Sequence, residues 1–205
     1  DVALFAAALA ARREGLQVAL FPEVLTSAAG HHAGAWAAGT SAEWNHLFER
    51  QTRVVEHAGL LAGLCGVDWL CVGTGLRGAT SEHDGRRSAS EERSWKRDGW
   101  RRVIGAARGA FPGGLTYSAS DLVEAEGVEF WEDLDAIGLE VPLRIELDAA
   151  RPTSALEHSL RELFAGIERC AAREDRPVLL TQVGFDTAAG STRAADVDRL
   201  AAQLH

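Results

Sequence analysis

The sequence predicts an α/β fold built on a parallel sheet, and three observations carry that expectation. Strand-like apolar runs and amphipathic helical segments alternate five times along the chain, the order that right-handed βαβ units generate. The strand-like runs are continuously apolar rather than alternating; Val178-Leu179-Leu180, opened by Pro177 and closed by Gly184, is one. Such a run fits a strand covered by helices on both faces. Long loop-like stretches at residues 26–40 and 77–90 follow the first and second strands and so fall on one rim. That placement favours part of a TIM-type (β/α) barrel over an open doubly wound sheet. No Walker-type G-x-x-x-x-G-K-[ST] pattern follows any strand, which counts against the phosphate-loop version of the open sheet.

Taken in order, residues 1–14 carry Val2, Phe5, Ala6 and Leu9 at helical spacing, with Gly15 as C-cap. Residues 16–21, stopped by Pro22, read as a short buried strand. Ser41 is placed to cap a long helix whose stripe is Trp44, Leu47, Phe48, Val54, Val55, Ala58, Leu61 and Leu64, ending by Gly66. Residues 67–73 form the second strand. A helix over 91–110 turns Trp95, Trp100, Val103, Ile104 and Ala107 inward. Residues 115–119 make the third strand, 128–134 a short helical segment and 136–140 the fourth strand. Thr153 or Ser154 caps a helix to about residue 172, with Leu156, Leu160, Leu163, Phe164 and Ile167 on one face. Residues 176–185 are the fifth strand and 192–204 a last amphipathic helix. No repeat, low-complexity linker or internal boundary interrupts the alternation, so residues 1–205 read as a single unit.

Composition removes several function classes. At 46% hydrophobic and 25% charged the chain is globular. It has no apolar run long enough to span a bilayer and no secretory signal pattern. A net charge of −9 opposes a nucleic-acid partner. The one basic face, Lys96, Arg97, Arg101 and Arg102, reads as solvated helix surface beside Glu91 and Glu92. Cys65, Cys71 and Cys170 lack metal-ligand spacing and read as buried thiols, which fits a reducing, cytoplasmic compartment. The absence of methionine points to a trimmed piece of a longer chain. Adjacent His31 and His32 point apart in an extended loop with no third ligand, so no metal and no cofactor is expected. Ser118 and Ser120 near Asp121 have no nearby histidine and no nucleophile-elbow pattern, so a serine triad is not read here.

A succession of short motifs then carries a family resemblance: Phe21-Pro22-Glu23, Gly34-Ala35-Trp36, residues 67–76, residues 115–119, Phe130-Trp131, residues 134–139 and residues 177–185. Together they resemble glycoside hydrolase family 113, the β-mannanase-like retaining enzymes with a (β/α)8 barrel. The likeness implies that the five strands correspond to the third through seventh of eight, with the others outside this chain. It also implies two exposed sheet edges, a self-association hazard unless covered.

The family mechanism needs a carboxyl acid/base and a carboxylate nucleophile, roughly 5–5.5 Å apart in a retaining enzyme. The family's Gly-Thr-Glu-Leu is Gly73-Thr74-Gly75-Leu76 here, and its Thr-Glu-(Ile/Val/Leu)-Gly-Tyr is Thr181-Gln182-Val183-Gly184-Phe185. Both catalytic positions, Gly75 and Gln182, have therefore lost the carboxyl. The resemblance also places Glu23 at a histidine position, Ser120 near an asparagine position and Glu140 at an aspartate position. Trp36 is kept and is suited to stacking on a sugar face. These four are the expected substrate-binding residues. The expectation is a pseudo-glycosidase that binds an oligo- or polysaccharide. The alternatives are an active retaining glycosidase using other carboxylates such as Glu23 or Glu140, and a scaffold without ligand.

Overall fold

A computed structural model describes residues 2–22, 40–80, 89–144 and 153–186. Five strands, β1 (Ala19–Leu20), β2 (Trp69–Thr74), β3 (Gly114–Ala119), β4 (Ala136–Arg144) and β5 (Val178–Asp186), form one sheet. They lie in sequential order and every neighbouring pair is parallel. A doubly wound sheet reverses its order at a switch point, whereas this chain winds one way and curls into an incomplete TIM-type barrel. The predicted fold class is the observed one. Among the described residues the helices are α1 (Val2–Arg13), α2 (Ser41–Cys65), α3 (Arg77–Thr80), α4 (Ala89–Ala110), α5 (Leu122–Gly127) and α6 (Thr153–Glu174), with a 3₁₀ turn at Trp131–Asp133.

The caps explain where α2 begins and ends. Thr40, not Ser41, is its N-cap: with extended backbone, its side chain accepts the Glu43 N–H at 3.2 Å. Gly66 closes the helix at φ +65, the left-handed conformation that glycine adopts without a Cβ penalty. Of the predicted stripe, Trp44, Phe48, Val55 and Ala58 are buried, whereas Val54 and Leu64 face outward. Gln51 takes an inward place instead and donates Nε2 to the Val72 carbonyl at 2.6 Å.

Helix α4 packs along α2, and the core lies where both meet the sheet. Trp100 is its centre, stacked on Phe130 at 4.6 Å and edge-on to Tyr117 at 5.2 Å and Phe48 at 5.6 Å. Its indole N–H donates to the Ala79 carbonyl at 3.0 Å. Lys96 corrects the expectation of a fully solvated basic face. It is only 7% exposed, pairs with Glu92 at 2.7 Å and stands 5.0 Å over the Trp44 ring, so its stem packs while its charge is shared. Arg97, Arg101 and Arg102 are exposed as expected. All three cysteines are free and buried.

Two further expectations change at the ends of the sheet. The α1 stripe is not its buried face: Val2, Phe5 and Leu9 are exposed, and Ala8 is the buried side chain. Strand β5 is not fully buried either, since Leu180 and Val183 are about half exposed. The reason is position, because among the described residues β5 has one hydrogen-bonded neighbour, β4, and lies at the edge of the sheet. Sequence reading overlooked two elements: α3, at the start of the stretch 77–90 that reads as a loop, and α5, which Asp121 caps by accepting the Glu124 N–H at 2.8 Å. The predicted last helix at 192–204 and the loop at 26–39 lie outside the described residues.

At the N-terminal strand ends one device occurs twice. Asp68 accepts the Val18 N–H at 2.8 Å and pairs with Arg12 at 3.5 Å. Asp135 accepts the Leu115 N–H at 2.7 Å and pairs with Arg108 at 2.7 Å. Each carboxylate ties the start of one strand to the one before it. Burial alone would raise the Asp135 carboxyl, but Arg108, the Leu115 N–H and Arg176 outweigh it and hold it below its ordinary value. A carboxylate so depressed stabilises the fold fully above its unfolded pKa, about 3.9, and ceases to do so as pH falls through the folded value. Asp135→Asn is therefore expected to cost stability in denaturant melts at pH 7, with the gap to the native protein closing below about pH 4. A gap that does not change with pH would show that the charge is not what matters.

Candidate functional site

The strands sort their side chains between two faces with period two. Leu70, Val72, Leu115, Tyr117, Ile137 and Leu139 enter the core under the helices. Cys71, Thr116, Ser118, Gly138 and Glu140 take the alternate positions, on the inner face of the curled sheet. Gly138 is required there, because a Cβ would stand 2.4 Å from the Tyr117 carbonyl oxygen and 2.9 Å from Thr116 Oγ1. With no side chain on β4 between them, Ser118 of β3 and Thr181 of β5 join hydroxyls at 2.5 Å.

The register slips at this point. Leu139 pairs with Leu180 but Glu140 pairs with Gln182, so Thr181 is the extra residue of a bulge. The bulge is what keeps both Thr181 and Gln182 on the inner face; unbroken alternation would turn Gln182 outward. Glu140 and Gln182 thus stand side by side in mid-strand, just past the level where β3 ends, on strands that lie about 4.8 Å apart and run on together to Arg144 and Asp186. Gln182 is exposed and Glu140 half-buried. Behind them, Cys71 donates its thiol to the Gly73 carbonyl at 3.0 Å. Burial pushes that thiol up to about 11, and the nearby Glu140 charge adds to the rise.

Gly75 ends β2 at φ +57 and donates its N–H to the Ser118 carbonyl at 2.8 Å. A Cβ on it would meet only Ser120 Cβ, at 3.8 Å. The position is therefore open in space, and the cost of filling it is in the backbone conformation. Ser120 follows β3 on the same rim and is half-buried. Arg77 is ion-paired to Asp121.

Beneath this rim lies a group that sequence reading missed. Glu124 is fully buried and accepts four hydrogen bonds: Tyr117 Oη at 2.6 Å and Thr80 Oγ1 at 3.0 Å on one oxygen, Ser120 N at 2.8 Å and Ser120 Oγ at 2.6 Å on the other. Burial and then the Glu124 charge raise the Tyr117 phenol well above its ordinary value, so Tyr117 remains a donor. The available signal was Asp121-x-x-Glu124, the spacing of a capping box. In this chain the glutamate turns from the helix end to its neighbours.

The structure thus brings Glu140 and Gln182 together and sets Gly75 beside Ser120. Glu23 and Trp36 lie outside the described residues. Among the described residues no group of three or more His, Cys, Asp and Glu side chains is arranged to hold a metal ion, and no helix is long and apolar enough to cross a membrane.

A parallel sheet of sequential strands, curled about an inner face that carries polar side chains, defines a (β/α)-barrel protein, a fold that places its chemistry on the C-terminal rim. More narrowly, the chain belongs to Glycoside Hydrolase Family 113, whose family model matches residues 1–198. Among solved structures, it is similar to the GH113 β-mannanase AaManA from Alicyclobacillus acidocaldarius in complex with ManMIm. The TM-score there is 0.69 at 20% identity, covering 92% of this chain and 53% of that one. Another GH113 β-1,4-mannanase matches with a TM-score of 0.66 at 22% identity and the same coverage. A β-glucuronidase from Ruminococcus gnavus in complex with uronic deoxynojirimycin matches at 0.56 and 15% identity, over 92% of this chain and 29% of that one. No curated protein matches. The chain spans about half the length of the solved mannanases that it matches.

Proposed function

We propose that this chain is a segment of a family 113 barrel that has lost its catalytic pair and keeps a saccharide-binding rim. The observation that carries the reading is the pair of family positions themselves. Gly75 offers no side chain to protonate a leaving group. Gln182 offers an amide that hydrogen-bonds a hydroxyl but does not readily form a glycosyl ester. Losing a general acid costs about two to four decades in rate, and losing the nucleophile removes the double-displacement route. Glu140, Ser120, Glu23 and Trp36 supply the polar and stacking contacts to sugar. In this reading the β1 and β5 edges are covered either by further strands of the parent chain or by a neighbouring copy.

The test is made on the full-length protein with manno- and gluco-oligosaccharides. Binding heat without hydrolysis is expected; turnover in the ordinary enzyme range of roughly 1–10³ s⁻¹ overturns the reading. Absence of both heat and turnover favours a scaffold instead. One observation supports an active alternative: Glu140 stands beside Gln182 in register. In that case turnover is present and Glu140→Gln abolishes it.

A further inference from the structure

We propose that Glu124 is a positioning residue that holds the two turns bordering the vacated acid/base position and sets the hydrogen-bond polarity of Ser120. The argument starts from directions. Leu76 N–H donates to Tyr117 Oη at 2.7 Å, and Tyr117 Oη in turn donates to Glu124. The backbone amide cannot reverse, and the phenol proton has Glu124 as its acceptor, so this relay runs one way, from the residue after Gly75 to the carboxylate. The second Glu124 oxygen takes the Ser120 N–H, which cannot reverse either, together with the Ser120 hydroxyl proton. Four donors converge on one side chain, and a carboxylate, which only accepts, suits them all.

Two consequences follow. The turn Gly75-Leu76 after β2 and residue Ser120 after β3 are held to the same buried anchor, although they belong to different loops. The Ser120 proton is also committed inward, which leaves its oxygen lone pairs toward the rim. Ser120 therefore accepts from a ligand hydroxyl or N–H rather than donating to it. The other charged groups on this wall, Arg77 and Asp121, are paired with each other. Thr80 on α3 completes the anchor, so the short helix is tied in as well.

Glutamine does not substitute cleanly. If its amide nitrogen faces Ser120, it opposes a fixed N–H donor. If it faces Tyr117, it donates to an oxygen that already accepts the Leu76 N–H and strands the phenol proton.

The statement about a ligand rests on the proposed saccharide-binding rim, but the anchoring does not, and the experiment separates them. Amide hydrogen exchange is followed by NMR on the ligand-free full-length protein, native and Glu124→Gln, with the core amides of Val103 and Leu70 as reference. Expected is acceleration of about tenfold or more at both Leu76 and Ser120, with the reference amides unchanged. Tyr117→Phe cuts only one arm and is expected to accelerate Leu76 while leaving Ser120 protected. It also serves if Glu124→Gln does not fold. Unchanged exchange at Leu76 and Ser120 in Glu124→Gln, or equal acceleration of the reference amides, overturns the proposal. So does a Tyr117→Phe protein in which Leu76 and Ser120 respond alike. A native protein that gives no heat with manno-oligosaccharides, yet shows this selective exchange, refutes the saccharide rim and supports the anchor.

Discussion

Gly75→Glu combined with Gln182→Glu in the full-length protein is expected to raise hydrolysis of an aryl β-mannoside by at least about a hundredfold over either single substitution. That is the lower end of what one general acid contributes. Both sites can receive the side chain. At position 75 a Cβ meets only Ser120 Cβ at 3.8 Å, so the obstacle is the left-handed backbone at φ +57, a cost of about 1–2 kcal/mol. At position 182 the change is isosteric, and the Thr181 bulge already turns the residue to the inner face. The new carboxylate lies beside Glu140, and two like charges on adjacent strands disfavour joint ionisation. Some of the recovered activity is therefore expected at the higher-pH side of the profile, where both are ionised. Neither single substitution rebuilds double displacement, which is why the comparison is with the singles. A double variant no faster than the native protein would count against positions 75 and 182 as the proposed acid/base and nucleophile positions.

Trp100→Ala is expected to destabilise the fold by about 3–5 kcal/mol, the range for deleting a fully buried tryptophan. The indole touches Phe130, Tyr117 and Phe48 at ring distances of 4.6, 5.2 and 5.6 Å, so its loss opens a cavity where α2, α4 and the sheet meet. The space is shaped for it, since a Cβ on Gly73 would approach its ring to 2.9 Å. The Ala79 carbonyl also loses its donor, which loosens α3 just below the rim. Urea melts give the magnitude, with Trp100→Phe as the milder control that keeps a ring but not the N–H. A loss below about 1 kcal/mol would show that the neighbouring rings refill the space.

Much of the fold was legible because strand and helix signals are local. Continuous apolar runs gave all five strands, although β1 proved shorter and β4 longer than their apolar cores. The helix stripe of α4 was read correctly because Trp100, Val103, Ile104 and Ala107 recur at helical spacing and all are buried. The same rule misplaced α1. Its stripe is apolar, but nothing among the described residues covers Val2, Phe5 and Leu9, and burial depends on what packs opposite. Lys96 failed for a related reason: a charge run says nothing of a tryptophan ring on the neighbouring helix.

At the site, the strings Gly73-Thr74-Gly75-Leu76 and Thr181-Gln182-Val183-Gly184-Phe185 carry the proposed motif positions because each is short and contiguous. Glu124 was not legible, since its partners Thr80, Tyr117 and Ser120 come from separate segments and only the folded sheet brings them to one carboxylate.

The sequence by itself determined the α/β class and the order of the strands, because each is written in neighbouring residues. Tertiary structure alone decided the rest. A bulge at Thr181 turns Gln182 to the inner face beside Glu140, and Gly138 lets Ser118 reach Thr181 across β4. Glu124 ties two loops to one buried anchor. These are relations between strands and loops far apart in the chain, set by register and packing, and no local pattern encodes them.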